Sequence, residues 1–457
     1  MELQKIKHVH CIGIGGIGVS AIARLMVFFG KEVSGSDLSE STLTQKLIKA
    51  GVRITYGKHQ AKNIPAQTDL VVYSNAIPVS NPEFNFAKTH NITRLSYPEI
   101  LGELLAHHIP IVISGTHGKS TTSAMLASIF ITAGLDPWAV IGTRLNFRDF
   151  DENVRVGLGR HFIVEGDEYR AAFLNYQPFG LIINNIESDH LDFYKSYSDI
   201  LKTFKKLIAS VPRSGFIVAN ADDPNVMKAL ASAKSRVITF GLTQGDYQAT
   251  HILQHGELTR CSIKGPERFD IALRVPGIHN VKNALAATVM SIVFQIPLEK
   301  IKQALLEFPG VWRRFEIKAD IHGTIIIDDY AHHPTEIRAT LSTARKIYND
   351  KKIWCIFQPH SVDRTTYLFD DFAAAFADCD QVILMDIYQV AGRDHGTHKT
   401  VEQLAKAIRD TGQSVMVIKQ TDEILKYCKN NVTGNDVILT VGAGTVTELS
   451  DRLLKAL

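Results

Sequence analysis

Short apolar runs alternate with amphipathic stretches along the first third of the chain. Predicted strands fall at residues 8–13, 33–36 and 70–74, and predicted helices fall at residues 19–29 and 43–50. Strands that alternate with helices in this way are typical of a parallel, doubly wound sheet.

The same alternation continues to the end of the chain. Further strands are predicted at residues 111–114, 162–165, 181–184, 216–219, 237–240, 325–328, 353–357, 382–385 and 437–441, with helices at 123–132 and 280–294. Turn residues at 107–110 and 308–310 interrupt the pattern and indicate linkers. Because 457 residues exceed what one core accommodates, we predict three α/β domains. These are a Rossmann-like domain (1–107), a central domain like a P-loop ATPase with a mostly parallel sheet (108–310), and a Rossmann-like C-terminal domain (311–457).

Composition narrows the class of protein. The formal charge of +3 favours neither nucleic acid nor an anionic membrane as a partner. The five cysteines are scattered and form no CxxC pair, which argues against a disulfide framework or a cysteine zinc site. No HExxH pattern occurs among the 18 histidines. The N-terminus has no signal-peptide pattern and no apolar run reaches about 20 residues, so we expect a cytoplasmic protein.

A first glycine-rich loop spans residues 13–18 and has the pattern GxGxxG between a predicted strand and a helix. Asp37 follows about 20 residues later, at the end of the next strand. Glycines let the backbone approach a pyrophosphate, which then lies at the helix N-terminus. NAD is the obvious ligand, and a glycine-rich turn that binds nothing is the alternative. The loop by itself does not settle which pyrophosphate compound binds.

A second glycine-rich loop, Gly115-Thr116-His117-Gly118-Lys119-Ser120-Thr121, follows the strand at 111–114. It contains the GxxGK[ST] core but not the full P-loop, because position 113 is isoleucine. In such a loop the backbone N–H groups bind ATP phosphates, the lysine reaches the terminal phosphates, and the serine hydroxyl ligates Mg²⁺. A dehydrogenase needs one nucleotide site, whereas two loops predict ATP and a second, pyrophosphate-bearing substrate.

Two acidic segments follow central strands. Residues 165–168 read EGDE, and residues 184–192 read NNIESDHLD. The carboxyl ends of parallel strands are where open α/β sheets bind ligands, and hard oxygen ligands suit Mg²⁺. The alternative is a pair of solvated polar loops, with His190 as a surface or capping histidine.

Together these motifs resemble the Mur ligase family over essentially the whole chain. The motifs occur in family order as GTHGKST, EGDE, NIESDH, PGIHNVKN at 276–283, RRF at 313–315 and DDYAHHPTE at 328–336. The resemblance implies an ATP-dependent ligase of peptidoglycan precursor synthesis, working through an acyl phosphate. Three features favour the members of the family that join L-alanine to UDP-N-acetylmuramate. They are GIGGIG with Gly35-Ser36-Asp37, the DDYAHHPTE string, and FQPH at 357–360 followed by Arg364-Thr365.

The resemblance also implies a set of site residues. Those for ATP are the residues of the second loop (Gly115, Thr116, His117, Gly118, Lys119, Ser120, Thr121) with Asn283 and Asp329. Those for the UDP-sugar are Gly15, Gly16, Gly18, Asp37, Ser74 and Asn75. Those for the amino acid are His360 and Arg364, and the Mg²⁺ ligands are Ser120, Glu165 and His190. The catalytic residues are Lys119, His190, His332 and Arg314. Two alternatives to these roles remain. Arg313 and Arg314 could be a charge pair in a linker, and one of His332 and His333 could have a structural role.

Several alternatives remain open from the sequence. EGDEY at residues 165–169 is closer to the relatives that recycle a murein tripeptide onto the same nucleotide sugar, and Ser361 stands where the alanine-adding members usually carry arginine. An NAD(P)-dependent dehydrogenase and a nucleotide-dependent regulatory module without chemistry are alternatives from other classes. We expect small-molecule substrates, no nucleic acid or membrane partner, and a monomer or weak homodimer.

Overall fold

The computed structural model describes residues 3–190, 193–256, 258–389 and 399–457. Leu191 and Asp192, the end of the second acidic segment, therefore lie outside the described residues. The chain divides into two compact units. The first unit comprises residues up to 186 together with 201–240 and 286–301, and the second comprises 187–200, 241–285 and 302 onward.

The N-terminal part of the first unit is a five-stranded parallel sheet in the order β3-β2-β1-β4-β5. Its strands are β1 (His8–Ile12), β2 (Glu32–Asp37), β3 (Arg53–Tyr56), β4 (Leu70–Tyr73) and β5 (Thr93–Ser96), and its helices are α1 (Ile17–Phe28), α2 (Thr42–Lys49), α3 (Pro82–Thr89) and α4 (Tyr97–Leu105). Helix α1 follows β1 after only four residues, which places the first glycine loop at the carboxyl edge of the sheet. The predicted Rossmann-like fold is confirmed.

The rest of the first unit contains strands in the order β12-β11-β10-β6-β9-β7-β8. They are β6 (Ile109–Ser114), β7 (Trp138–Val140), β8 (Val154–Arg155), β9 (His161–Gly166), β10 (Gly180–Ile183), β11 (Phe216–Asn220) and β12 (Arg236–Gly241), with helices α5 (Lys119–Thr132), α6 (Tyr197–Ser210) and α7 (Pro224–Ala229). All these pairings are parallel except β7 with β8. Strand β6 lies between β9 and β10, so the second glycine loop and both acidic segments follow neighbouring strands.

One predicted linker is partly wrong. Residues 107–110 were expected to connect two domains, but β6 already includes Ile109 and Pro110. Ile109 and Pro110 are in parallel register with His161 and Phe162 of β9. Strand β10 enters the register only at Ile111, so the missing N–H of Pro110 precedes that pairing.

Residues 241–285 of the second unit contain an antiparallel meander that the sequence did not predict. It consists of β13 (Tyr247–His255), β14 (Leu258–Lys264) and β15 (Phe269–Leu273). Helices α8 (Ile278–Val293) and α9 (Leu298–Glu307) follow it, and their residues between 286 and 301 belong to the first unit. The central strand β14 alternates partly buried or exposed residues with buried ones, so it has no continuous apolar run.

A six-stranded sheet in the order β16-β17-β21-β18-β19-β20 completes the second unit. Its strands are β16 (Glu316–Ile321), β17 (Thr324–Asp329), β18 (Lys352–Phe357), β19 (Gln381–Leu384), β20 (Val415–Val417) and β21 (Asp436–Val441). Its helices are α10 (Pro334–Ile347), α11 (Val362–Tyr367), α12 (Phe369–Ala373), α13 (Val401–Asp410), α14 (Thr421–Asn431) and α15 (Val446–Ala456). Alternate residues of β18 enter separate hydrophobic clusters, because both faces of the sheet are covered.

Short 3-10 helices occur at Leu3–Lys5, Ala61–Asn63, Tyr169–Asn175 and Leu230–Ser232. Among the described residues, every helix is too short or too polar to cross a bilayer.

Candidate active site

The first glycine loop is a tight turn that is bonded to the end of β2. Gly13 has a φ of +73°, a conformation that glycine adopts without steric cost. The N–H groups of Gly13 and Ile14 both donate to the carbonyl of Ser36, at 2.9 and 3.1 Å. Helix α1 then begins at Ile17, with Gly16 as its N-cap. The loop therefore presents the N-terminus of α1 at the carboxyl edge of the sheet, as an anion site requires.

Asp37 is bonded to this loop. Its carboxylate accepts the N–H of Gly15 at 2.7 Å and the N–H of Leu38 at 2.8 Å. A β-carbon on Gly15 would lie 2.9 Å from that carboxylate, and one on Gly18 would lie 3.0 Å from the Tyr97 ring. A side chain at Gly15 or Gly18 would therefore displace Asp37 or Tyr97 from its present position. Contact of Asp37 with ribose or uracil stays a prediction.

Ser74 and Asn75 follow β4 beside the same loop. A β-carbon on Gly13 would lie 3.4 Å from the Cβ of Ser74. The carbonyl of Asn75 accepts a hydrogen bond from the guanidinium of Arg170, which comes from the turn after the first acidic segment. The structure therefore brings Ser74 to the first glycine loop and joins Asn75 to the segment that follows the first acidic segment.

The second glycine loop is shaped by two asparagines that sequence reasoning had grouped only as polar loop residues. Gly115 and Gly118 have φ values of +135° and +79°. Asn185 accepts the N–H of Thr116 through its carbonyl at 3.2 Å and the N–H of His117 through its side chain at 2.7 Å. Asn184 donates to Thr122 Oγ1 at 3.0 Å.

The last three residues of the second loop, Lys119, Ser120 and Thr121, form the start of α5. This helix begins at Lys119 rather than at the predicted residue 123. Thr116, Ser120 and Thr121 are each less than one-tenth exposed.

Lys119 is held among backbone carbonyls and a carboxylate. Its ammonium donates to the carbonyls of Gly115 and Thr116, at 2.6 and 3.1 Å, and to Glu168 Oε2 at 2.8 Å. Burial disfavours the charged form, but the carboxylates of Glu168, Asp167 and Glu165 outweigh it and raise the pKa of Lys119 above its ordinary value. The lysine is therefore a fixed cation at the loop. Glu168, its partner, was not predicted as a site residue.

The end of β9 and the acidic turn after it supply carboxylate oxygens. Glu165 accepts the N–H of Gly142 at 2.8 Å, and its register partner on β6 is Ile113, two residues before the loop. Asp167 accepts the N–H of Tyr169 at 3.1 Å. Carboxylate and hydroxyl oxygens are the donors that Mg²⁺ prefers, so Glu165 and Ser120 fit that ion chemically. His190, the third predicted ligand, belongs to the second unit.

A buried ion pair dominates the candidate amino-acid site in the second unit. The guanidinium of Arg364 donates to Asp189 Oδ1 at 2.9 Å through Nη2 and at 3.1 Å through Nε. Both side chains are 9% exposed. Burial opposes ionisation of Asp189, yet Arg364 and the nearby histidines hold its pKa well below the ordinary value. Asp189 was not predicted, because nothing in the sequence pairs residues 175 positions apart.

His360 connects this pair to two further rings, those of Tyr388 and His332. Nη1 of Arg364 lies 3.2 Å from Nδ1 of His360. The His360 ring stacks on Tyr388, with centroids 5.5 Å apart and planes 13° apart, and meets His332 at 5.9 Å. The structure therefore brings three predicted residues together, namely His332, His360 and Arg364. Ser361 caps α11 with a φ of +69°.

His332 and His333 have different roles. His333 is the N-cap of α10, and its Nδ1 accepts the N–H of Thr335 at 3.3 Å. Nδ1 of His332 lies 3.0 Å from the carbonyl of Tyr330 and 3.4 Å from Glu336. Burial lowers the pKa of His332 to about 3, against the opposing effect of Glu336. His332 is therefore neutral at physiological pH, and the capping role belongs to His333.

The two arginines after the second predicted boundary also differ. Arg313 is 2% exposed and donates to Asp328 at 2.8 Å, which makes it a buried structural ion pair. Arg314 is more exposed, lies over the Tyr330 ring and has Glu336 at 3.6 Å. Arg314 is thus the more accessible cation, and its contact with ATP stays a prediction.

Asp329 and Asn283 each form hydrogen bonds with other residues of the second unit. Asp329 accepts the N–H groups of Phe315 and Ala331 at 2.9 and 2.7 Å, and burial raises its pKa to about 6 against Arg314. Asn283 donates to Asn280 at 3.2 Å. Their proposed contacts with the ATP ribose and adenine remain predictions.

Comparison with known proteins decides the family. The Mur ligase family catalytic domain matches residues 8–109, the Mur ligase middle domain matches 113–291, and the glutamate ligase domain matches 313–444. A UDP-N-acetylmuramate–L-alanine ligase of Clostridium perfringens is 41% identical over 453 residues, which are 98% of each chain. The chain belongs to the Mur ligase family.

Other relatives of this Mur ligase agree. A UDP-N-acetylmuramate–L-alanine ligase of Acetivibrio thermocellus is 40% identical and covers all of this chain and 97% of its own. The crystal structure of such a ligase from Thermotoga maritima superposes with a TM-score of 0.84 at 29% identity, over 98% of each chain. A murein peptide ligase from Psychrobacter arcticus superposes with a TM-score of 0.74 at 27% identity, again over 98% of each. The three-domain α/β architecture is thereby confirmed, while the boundaries 1–107, 108–310 and 311–457 stay a prediction.

Proposed function

We propose that this Mur ligase joins L-alanine to the lactyl carboxylate of UDP-N-acetylmuramate, with conversion of ATP to ADP and phosphate, in peptidoglycan precursor synthesis. One geometric observation carries the proposal. A lysine cation is fixed inside a glycine loop at the N-terminus of α5, while a separate glycine loop lies at the N-terminus of α1. Two anion sites in one chain suit a reaction that needs both a sugar nucleotide and ATP.

The reaction has two balanced steps. A carboxylate oxygen of the sugar nucleotide attacks the γ-phosphorus of ATP, the bond to the bridging oxygen breaks, and ADP leaves with that electron pair. The amine of L-alanine then attacks the acyl carbon, the bond to the phosphate oxygen breaks, and inorganic phosphate leaves after the nitrogen loses a proton. The protein supplies alignment and charge stabilisation rather than a covalent nucleophile.

Lys119 stabilises the transferring phosphoryl group. We expect the γ-phosphate of ATP to bind the Lys119 ammonium, which Glu168 holds in place. Ser120, Glu165 and His190 are proposed to hold Mg²⁺, which neutralises phosphate charge when it is bound. Arg314, Asp329 and Asn283 are proposed to contact ATP.

Gly15, Gly16 and Gly18 are proposed to bind the pyrophosphate of the sugar nucleotide, with Asp37, Ser74 and Asn75 nearby. Arg364 and His360 are proposed to bind L-alanine. A guanidinium matches an α-carboxylate in a bidentate geometry, and Asp189 already holds Arg364 in one orientation. His332, neutral beside His360, is proposed to lie at the reaction centre.

A phosphate-release assay with a substrate panel tests the proposal. We expect release only when ATP, Mg²⁺, UDP-N-acetylmuramate and L-alanine are all present, and no release when any one of them is omitted. Glycine and L-serine in place of L-alanine measure the selectivity of the amino-acid site. Absence of phosphate release from the complete mixture would refute the proposed function.

The second candidate is the ligation of a recycled murein tripeptide to the same nucleotide sugar. The sequence EGDEY at residues 165–169 favours it. In the same assay, faster phosphate release with the tripeptide than with L-alanine would establish this alternative. Membership of a ligase family argues against an NAD(P)-dependent dehydrogenase. We also propose that the protein acts in the cytoplasm, as a monomer or weak homodimer.

A further inference from the structure

A buried polar cluster lies beneath the first glycine loop, and the predicted site does not account for it. Its centre is Glu83 at the start of α3, whose side chain is fully buried. Glu83 Oε2 accepts the hydroxyl of Ser36 at 2.5 Å and lies 3.3 Å from His10 Nε2. Glu83 Oε1 accepts from Asn63 at 2.6 Å and lies 3.0 Å from His59 Nδ1.

The carboxylate of Glu83 is ionised within this cluster. Burial by itself would raise its pKa, but the hydrogen bonds from His10, Ser36 and Asn63 outweigh burial and lower the pKa to about 2. A buried charge costs stability unless it is fully bonded, and an apolar side chain would fill the same space with no such requirement. Packing of this region alone therefore does not explain why a charged side chain is buried here.

Ser36 joins this cluster to the glycine loop. Its hydroxyl lies 3.2 Å from His59 Nδ1 and donates to Glu83, so two side chains fix the residue. Its carbonyl accepts the N–H groups of both Gly13 and Ile14. The next residue, Asp37, accepts the N–H of Gly15 at 2.7 Å. Three successive N–H groups of the loop are thus oriented by the end of β2, and Glu83 holds that end in place.

We propose that Glu83 is a positioning residue for the sugar-nucleotide site, acting through Ser36 on the backbone of the first glycine loop. This inference rests on the proposed function, because the ligand of that loop is the UDP-sugar. Glu83 contacts no substrate in this mechanism. Its effect is on the affinity of the loop for a diphosphate, not on the chemistry at the second loop.

Titration calorimetry on the full-length protein tests the inference. UDP-N-acetylmuramate and a non-hydrolysable ATP analogue with Mg²⁺ are titrated separately into wild type, Glu83→Gln and Ser36→Ala. Glutamine keeps the volume of Glu83 but has only one acceptor oxygen for four neighbouring groups. We expect both variants to raise the Kd of the UDP-sugar about tenfold, and to leave the Kd of the ATP analogue within about twofold. With saturating substrates, kcat should also stay within about twofold while the KM for the UDP-sugar rises.

Asp69→Asn is the matched control. Asp69 accepts the N–H groups of Lys7 and His8 at the amino edge of the same sheet, away from the loop. We expect Asp69→Asn to lower the Tm of the protein and to leave the Kd of the UDP-sugar and the Kd of the ATP analogue unchanged.

Unchanged UDP-sugar affinity in Ser36→Ala, or an equal loss of both ligands in that variant, would overturn the inference. Should Glu83→Gln fail to fold, Ser36→Ala decides alone. Failure of wild type to bind the UDP-sugar would refute the proposed function instead, so the two failures are distinguishable.

Discussion

Replacing Lys119 with methionine separates its role in stability from its role in catalysis. Methionine keeps most of the side-chain volume and removes the ammonium that lies 2.8 Å from Glu168. At that distance the Coulomb energy is about 6 kcal/mol for an effective dielectric constant of 20. Desolvation offsets part of it, and breaking a buried pair by removing one partner typically costs about 3–5 kcal/mol. We expect Lys119→Met to lower the free energy of unfolding by about that amount.

The pH dependence follows from the sign of the pKa shift. Because the pKa of Lys119 is raised in the folded protein, its stabilising contribution is fully present below the unfolded value of about 10.4 and is lost only as the pH rises past the folded value. In Lys119→Met the buried carboxylate of Glu168 loses the cation that lies 2.8 Å away, so its pKa should rise. The stability difference between variant and wild type should therefore shrink as the pH falls towards 5.

A second variant distinguishes folding from chemistry. Lys119→Met/Glu168→Gln removes the charge from both partners and should recover most of the lost stability. Both variants should lose phosphate release by at least about 10³-fold, because the transferring phosphoryl group has lost its cation. UDP-sugar binding, measured by calorimetry, should remain near that of wild type. Recovery of turnover in the double variant, or wild-type stability in the single variant, would refute this reasoning.

Three further variants test other parts of the site. Arg364→Lys should raise the KM for L-alanine at least about tenfold without changing the KM for ATP, because lysine cannot donate two parallel hydrogen bonds. An unchanged KM for L-alanine would contradict that assignment. Gly15→Ala should weaken UDP-sugar binding about tenfold in calorimetry, because its β-carbon would lie 2.9 Å from Asp37. Equal binding would show that the loop tolerates the clash. His332, with its pKa lowered to about 3, should contribute about 2 kcal/mol of destabilisation on acidification from pH 7 to 5, because the unfolded state takes up the proton first. Denaturant titrations at both pH values should show a smaller acid effect for His332→Gln, and an equal effect would exclude a buried neutral histidine.

The sequence predicted both glycine loops and most of the parallel strands because their signals are local, but the short strands β3, β5, β7 and β20 were missed. Strand β1 and its loop are continuous in sequence, and a short apolar run before glycines has few other interpretations. The meander β13–β15 was missed, because one-sided burial leaves polar residues at alternate positions and no apolar run. The linker at residues 107–110 was overextended for a related reason. Pro110 indicates a break, yet the strand continues through it before a second neighbour joins.

The partners of the site residues could not be predicted. Glu168 beside Lys119 and Asp189 beside Arg364 are ion pairs between residues that are far apart in sequence, and only the tertiary structure brings them together. His332 and His333 are adjacent, and the sequence does not distinguish their roles. Only the start of α10 shows that His333 is the N-cap and that His332 is the buried neutral ring.

Oxygen transfer from substrate to phosphate tests the central claim most directly. UDP-N-acetylmuramate labelled with ¹⁸O in its lactyl carboxylate is converted with ATP and L-alanine, and the released phosphate is examined by mass spectrometry. An acyl phosphate transfers one labelled oxygen to each phosphate, because the attacking carboxylate oxygen leaves with phosphorus. Phosphate without label, formed while the amide product accumulates, would contradict the account.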